Sequence, residues 1–406
     1  MKTLLGVLFL LVNTDVSSAQ WIIKNSGTTN HLETMSFPAS DTGFVADDHY
    51  RIHKTINGGN TWNLLPATLP GYFIDFISTS IGFCGGTDIQ KTNDGGQTWN
   101  DNFNFTNFSY IIGFSFPTNT TGYALGIDLQ PYDSTLIYKT IDQGLSWTYV
   151  SGTPALSASG SIWFTDSVTG YLSKSIGTIA KTIDGGSTWI QQFSSAGTFG
   201  INKVYFVSHE IGFFICDNGN IFKTNDGGNV WQLQSNTNPL SLFSIFFPTL
   251  SHGFAAGGDG VSMGVILESS DSGATWNVSA WNSQTMMDLF FTSPSTGYVC
   301  GTYGTILKYH DPNGIAEVNH SSIGISILSN PIDREFIFIY SVGEPQNVSL
   351  KIFNLTGQKI ATLQDGNETA GQHSIKFSTS GISPGIYLYS FISENRKETG
   401  KIVVGK

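Results

Sequence analysis

Charge is scarce in this chain of 406 residues: Asp, Glu, Lys and Arg together make up 12%, about half the usual share. That shortage removes the material for solvated helices. Arginine occurs only at Arg51, Arg334 and Arg396, and the net charge is −11. Such a chain lacks the basic face that a nucleic-acid backbone requires. Long apolar runs are missing too. The longest N-terminal one, Leu4 to Val12, falls well short of the roughly 20 residues that span a bilayer, so no transmembrane segment is expected. The three cysteines, Cys84, Cys216 and Cys300, form no Cys-x-x-Cys pair. With no Asp-x-Asp-x-Asp-Gly loop either, neither a metal nor a cofactor is expected. What is abundant is glycine (46 residues) and aromatic side chains (13%), the material of short strands and tight turns.

Met1-Lys2-Thr3, the greasy run after it and the small residues Ser17-Ser18-Ala19 fit the pattern of a secretory signal peptide. Residues 1–19 are expected to form that peptide, with the mature chain starting at Gln20.

From there the sequence repeats. Lys91-Thr-Asn-Asp-Gly-Gly-Gln-Thr-Trp99 recurs as Lys181 to Trp189 and Lys223 to Trp231, and more loosely as Lys54 to Trp62, Lys139 to Trp147 and Glu268 to Trp276. The tryptophans advance by 37, 48, 42, 42 and 45 residues, a period that suits the four-stranded blade of a propeller. A second motif keeps the same beat: Phe37…Gly43-Phe44, Phe76…Gly82-Phe83, Phe116…Gly122-Tyr123, Phe164…Gly170-Tyr171, Phe206…Gly212-Phe213, Phe247…Gly253-Phe254 and Phe291…Gly297-Tyr298. Seven copies of it face six tryptophan boxes. The stretch Trp21-Ile-Ile-Lys-Asn resembles a box tryptophan with its strand, as in Trp189-Ile-Gln-Gln-Phe, so it supplies the missing outer strand. The expectation is an all-β chain: a seven-bladed β-propeller over residues 20–310, closed by its N-terminal strand, a linker at 311–323 and a small C-terminal β-sandwich at 324–406. Closure leaves few exposed sheet edges. The cysteines fall on second strands of non-adjacent blades, too far apart for a disulfide.

The box residues read as scaffolding. An Asp or Asn at the head of a turn (Asn57, Asp94, Asp142, Asp184, Asp226, Asp271) accepts bonds from the backbone ahead of it. The paired glycines allow angles that a Cβ forbids. The tryptophans (Trp62, Trp99, Trp147, Trp189, Trp231, Trp276) are expected to bury between outer strands. None of these aspartates is read as catalytic.

These boxes look like the Asp-box (BNR) repeats of sialidase-type propellers. The complete unit resembles the propeller of photosystem II assembly factors and of xyloglucan-degrading hydrolases. A sialidase grips a carboxylate with three arginines, whereas this propeller region holds Arg51 alone, so sialidase chemistry is not expected. The tail has its own landmarks: Ser329-Asn-Pro331, Asn354-Leu-Thr-Gly-Gln-Lys-Ile360, Gly385-Ile-Tyr-Leu-Tyr and Lys401-Ile-Val-Val-Gly-Lys406. They resemble the C-terminal sorting domain of type IX secretion cargo. The resemblance implies the secretion machinery as partner of residues 324–406, and an extracellular or outer-membrane address.

In such a propeller the boxes occupy one face, and ligands bind on the other or in the central mouth. Candidates there are Asp88, Asp128, Asp217 and Asp259 at second-strand ends, Arg51 with His49 and Tyr50, Trp281, Tyr303, and Tyr132 in the longest insertion. The leading expectation is a non-catalytic binding module for a glycan or a surface protein. Two alternatives stand beside it: a carbohydrate hydrolase using an Asp pair, which needs two carboxyls roughly 6.5–9.5 Å apart, and a structural or adhesion protein.

Overall fold

A computed structural model describes residues 20–310 apart from 105–108, 129–133, 154–158, 175 and 237. It also describes residues 326–404 apart from 329–334, 343–344, 355–356, 370, 380, 384 and 394–395. The proposed signal peptide, Tyr132, and the landmark Ser329-Asn-Pro331 lie outside the described residues. The chain separates into two compact units, Met1–Ala316 and Glu317–Lys406.

The first unit is a β-propeller of seven antiparallel blades, spanning 32–68, 73–104, 109–153, 159–194, 201–233, 241–282 and 286–310. The seventh takes its outer strand from the other end of the unit: Gln20–Asn25 pairs with Thr305–His310, Trp21 opposite Tyr309 and Asn25 opposite Thr305. Blade six carries one extra short strand, Ser235–Asn236, which runs parallel to its outer strand Thr275–Asn282.

The Phe…Gly-aromatic motif explains why the blades stack. The second-strand aromatic of each blade lies flat on the inner-strand Phe of the next: Phe44 on Phe76, Phe83 on Phe116, Tyr123 on Phe164, Tyr171 on Phe206, Phe213 on Phe247, Phe254 on Phe291 and Tyr298 on Phe37, with centroids 3.4–4.6 Å apart. The glycine of the motif clears space for its own blade's Phe. A Cβ at Gly297 would stand 2.5 Å from the Phe291 ring.

Each tryptophan meets that same Phe edge-on, for example Trp62 on Phe37 at 5.9 Å and Trp99 on Phe76 at 5.9 Å. This corrects the expectation of burial between outer strands: the indole reaches inward, beneath the blade, to the inner strand. Trp21 repeats the contact on Phe291 at 6.1 Å and so is the seventh member of the set.

The boxes cap the turn between third and outer strands. In blade two, Asp94 accepts from the Thr98 amide at 2.9 Å and the Thr98 hydroxyl at 2.6 Å, while the Thr92 hydroxyl donates to it at 2.8 Å. Thr98's hydroxyl, with its amide, holds the Asp94 carboxyl down at about 2. The box lysine had no assigned role in the sequence, yet it joins blades. Lys54, Lys91, Lys181 and Lys308 donate to backbone carbonyls of the next blade's box (Gly95, Gln143, Gly227 and Gly58) at 2.7–3.0 Å. Lys308 and Tyr298 both reach Gly58, fastening blade seven to blade one. In blade six Glu268 takes the lysine's place and pairs instead with His252 at 2.7 Å.

Cys84, Cys216 and Cys300 are buried, free thiols on the second strands of blades two, five and seven. The second unit is a β-sandwich. A three-stranded sheet built on Glu335–Val342 and a four-stranded sheet built on Gln346–Asn354 and Gly385–Ser393 share a core that includes Phe338, Tyr340, Leu350, Ile352 and Phe391.

Candidate functional site

Two places on the propeller gather side chains that the repeat does not explain. The first is the face opposite the boxes, where second and third strands are joined and inner strands begin. In blade one the joining turn is organised by Asp47, which is fully buried. Its carboxylate accepts from Asn30 Nδ2 (2.8 Å), His53 Nε2 (3.1 Å), Arg51 Nη2 (3.2 Å) and the amides of His49 and Arg51 (both 3.0 Å). Burial raises the Asp47 carboxyl, but these donors outweigh it and hold the group below the ordinary range. Arg51, a candidate for ligand contact, is thus engaged by a structural carboxylate.

That turn projects Tyr50 at a left-handed φ of 60°, exposed, and parallel to Tyr72 of the next connection at 6.1 Å. Tyr303, with a φ of 55° and 57% exposed, leans on His31 at 4.9 Å. Glu33 opens the inner strand beside them. Burial raises its carboxyl, the Asp48 charge adds to that, and His31 opposes it. Blades seven, one and two therefore share a rim of aromatic and acidic groups. Tyr50 and Tyr303 were legible in the sequence; Tyr72 and His31, in the connections between blades, were not.

The other candidates are dispersed around this face. Asp88 is the first residue of the third strand Asp88–Thr92, not the end of a second strand as expected. Asp128 closes the second strand of blade three. Asp217 accepts from the Gly200 amide at 2.9 Å. Asp259 accepts from the amides of Val261, Ser262 and Met263 at 2.8–2.9 Å, which holds its carboxyl far below the ordinary range. Trp281 is exposed near the end of blade six's outer strand. Asp217 and Asp259 each cap local backbone in different blades.

The second place is the axis. The inner strands enclose a cavity of about 450 Å³. Counting back from each blade's motif Phe, the residue one back is Ser36, Asp75, Ser115, Trp163, Tyr205, Phe246 or Phe290, and the residue three back is Thr34, Phe73, Gly113, Ser161, Lys203, Ser244 or Asp288; all of these but Ser36 and Ser244 line the cavity. Asp288 Oδ1 binds Lys203 Nζ (3.1 Å) and the Ser244 hydroxyl (2.7 Å), and Oδ2 accepts the Met35 amide (3.0 Å) across the closing junction. Asp75 faces the cavity from blade two. Burial raises that carboxyl to about 7; the Asp288 charge adds to the rise, and the Phe76 amide and Lys203 oppose it. None of these three charged residues stood out in the sequence.

Comparison with known proteins agrees with the two units. Residues 326–405 match the model of the secretion system C-terminal sorting domain. The chain thus carries a type IX sorting domain, which implies export and association with the cell surface or outer membrane. Among solved structures it is similar to YCF48 bound to D1 peptide, with a TM-score of 0.59 and 21% identity over 71% of this chain and 96% of that one. It is also similar to YCF48 from Cyanidioschyzon merolae (0.56, 17%, covering 73% and 99%) and to the WD40 beta propeller domain of Doa1 (0.57, 11%, covering 75% and 100%). At such identities the likeness establishes the fold. Curated proteins yield no match to the chain.

Proposed function

We propose that the protein is an exported propeller whose face opposite the boxes binds a glycan at the cell surface, without catalysis. Residues 1–19 act as a cleaved signal peptide, and 324–406 engage the type IX machinery. The observation that carries the reading is the rim on blades seven, one and two. Tyr50, Tyr72 and Tyr303 offer flat apolar surface to sugar rings, and Glu33 and Asp48 stand beside them as hydrogen-bond acceptors. A protein ligand is the second reading, favoured by the peptide named with one of the similar propellers. A hydrolase is less well supported, because Asp259 spends both oxygens on its own turn and one oxygen of Asp217 holds the Gly200 amide.

The test uses the full mature chain on a glycan array and in a pull-down against outer-membrane proteins. Binding that Tyr72→Ala reduces at least tenfold supports the face; retention of neither class of ligand overturns the reading. Turnover of a polysaccharide, abolished by Asp128→Asn, would transfer the assignment to the hydrolase. Deleting 324–406 is expected to hold the propeller in the periplasm, and unimpaired export would refute the tail's role.

A further inference from the structure

The axial cavity is chemically lopsided. In the layer one residue before the motif Phe, blades four to seven contribute Trp163, Tyr205, Phe246 and Phe290, each in contact with the next at 4.7, 5.7 and 5.2 Å between centroids. This arc of four rings covers more than half of the wall at that level. The remaining three blades contribute Ser36, Asp75 and Ser115. The two serines are occupied: Ser36 Oγ accepts the Phe76 amide and Ser115 Oγ the Phe164 amide, at 3.0 and 2.9 Å. Asp75 is then the acidic group of that layer, facing a wall made mostly of aromatic rings.

Charge accounting points the same way. Lys203 offsets Asp288, to which it is bonded, and Ser244 and the amides of Met35 and Leu289 take up that carboxylate's other directions. Asp288 therefore has little left to offer a metal ion, which requires several free oxygens. Asp75 lacks such a retinue, and Glu33 at the start of blade one adds a second acidic group to the lining. An anion would meet uncompensated carboxyls here. A neutral apolar ligand would leave Asp75 with only Lys203, already bonded to Asp288, as counter-charge.

We infer that the cavity is a binding site for an organic ammonium group, held by the Asp75 carboxylate and by the aromatic arc of Trp163, Tyr205, Phe246 and Phe290. A carboxylate supplies charge, and aromatic rings supply cation–π attraction and exclude water; together they recognise an alkylammonium. The volume of about 450 Å³ admits a short chain, such as a lysine side chain or a quaternary ammonium head. This site meets the rim at Glu33 but does not depend on the glycan reading.

The experiment titrates n-butylammonium, tetramethylammonium and neutral n-butanol into the full mature chain at pH 8, followed by calorimetry. At least one cation is expected to bind with a dissociation constant on the order of millimolar or tighter, and at least tenfold more tightly than butanol. The stronger of the two cations tells a primary from a quaternary source. Asp75→Asn, which keeps shape and removes charge, should weaken the cation at least tenfold. Phe246→Leu, which keeps apolar volume and removes a ring, should weaken the cation about threefold or more and leave butanol unchanged. Equal binding of butanol and the cations, no binding of any cation at 10 mM (about ten times the expected constant), or cation binding indifferent to Asp75→Asn would each overturn the assignment.

Discussion

Replacing Asp75 by Asn should make the propeller more stable, and only above mildly acidic pH. In the folded protein the carboxyl titrates near 7, against 3.8 for an ordinary aspartate. The folded state thus holds this proton more tightly than the unfolded chain does. Stability falls as pH rises between those two values, is unaffected by this group below about pH 4, and levels off above 7. At about 1.36 kcal/mol per pH decade the full gap is worth about 4 kcal/mol, an upper bound because Lys203 and cavity water can relax around the charge. Asn keeps the shape of the side chain and has no proton to lose. The wild type and the variant should therefore unfold together at pH 3.5 and differ by only about 1 kcal/mol at pH 4.5. By pH 8 the variant's propeller transition should sit higher by roughly 5–15 °C, given about 2–4 °C per kcal/mol in a domain of this size. Thermal unfolding followed by near-ultraviolet circular dichroism at half-unit pH steps measures the difference. Parallel curves for the two proteins, or a variant less stable at pH 8, would refute the argument. Glu33, Asp288 and Lys203 also line the cavity and are common to both proteins, so they cancel in the comparison.

Asp94→Ala removes three bonds from one box and should cost about 1–2 kcal/mol in urea unfolding; because its carboxyl is held at about 2, the contribution is full above pH 4 and fades as pH falls toward 2. Gly297→Ala pushes a methyl into Phe291 and should cost about 1–3 kcal/mol, whereas Gly113→Ala, with open space around it, should change stability by less than about 0.5 kcal/mol. Lys308→Met leaves the Gly58 carbonyl with Tyr298 alone and should cost about 1 kcal/mol. Cys84, Cys216 and Cys300 are buried, and burial raises all three thiols, so none should react with a thiol reagent until the protein unfolds. Labelling of native protein at pH 8 would contradict that.

The blades could be counted in the sequence because the residues that stack them recur in kind. Phe, Gly and Trp serve the same contact at every junction, so each repeat announces it. The axial residues obey the opposite logic. Asp75, Lys203 and Asp288 sit at equivalent or neighbouring steps of inner strands, but each step carries a different residue in every blade. Comparing repeats averages them away, and only closure of the ring brings them together around one cavity. Tyr50 and Tyr303 stood out because their turns interrupt the pattern. Tyr72 and His31 belong to connections of ordinary length, where nothing in the spacing marks them. The box lysine was visible in every clear copy, yet its partner lies in the next blade, out of reach of reasoning confined to one repeat.

The pairing of Gln20–Asn25 with Thr305–His310 sets an order on assembly. Six blades are built from neighbouring segments and can zip up as soon as their own strands are present, at small entropic cost. The seventh waits for two ends of the ring separated by nearly the whole unit. Until they meet, Phe254, Phe291 and Tyr309 lack the indole of Trp21, and Thr305–His310 stands as an open template for any passing strand. Whatever carries this chain across an envelope must either keep those two ends apart throughout transit or release them already latched, and the choice between the two fixes whether the protein travels as a thread or as a finished disc.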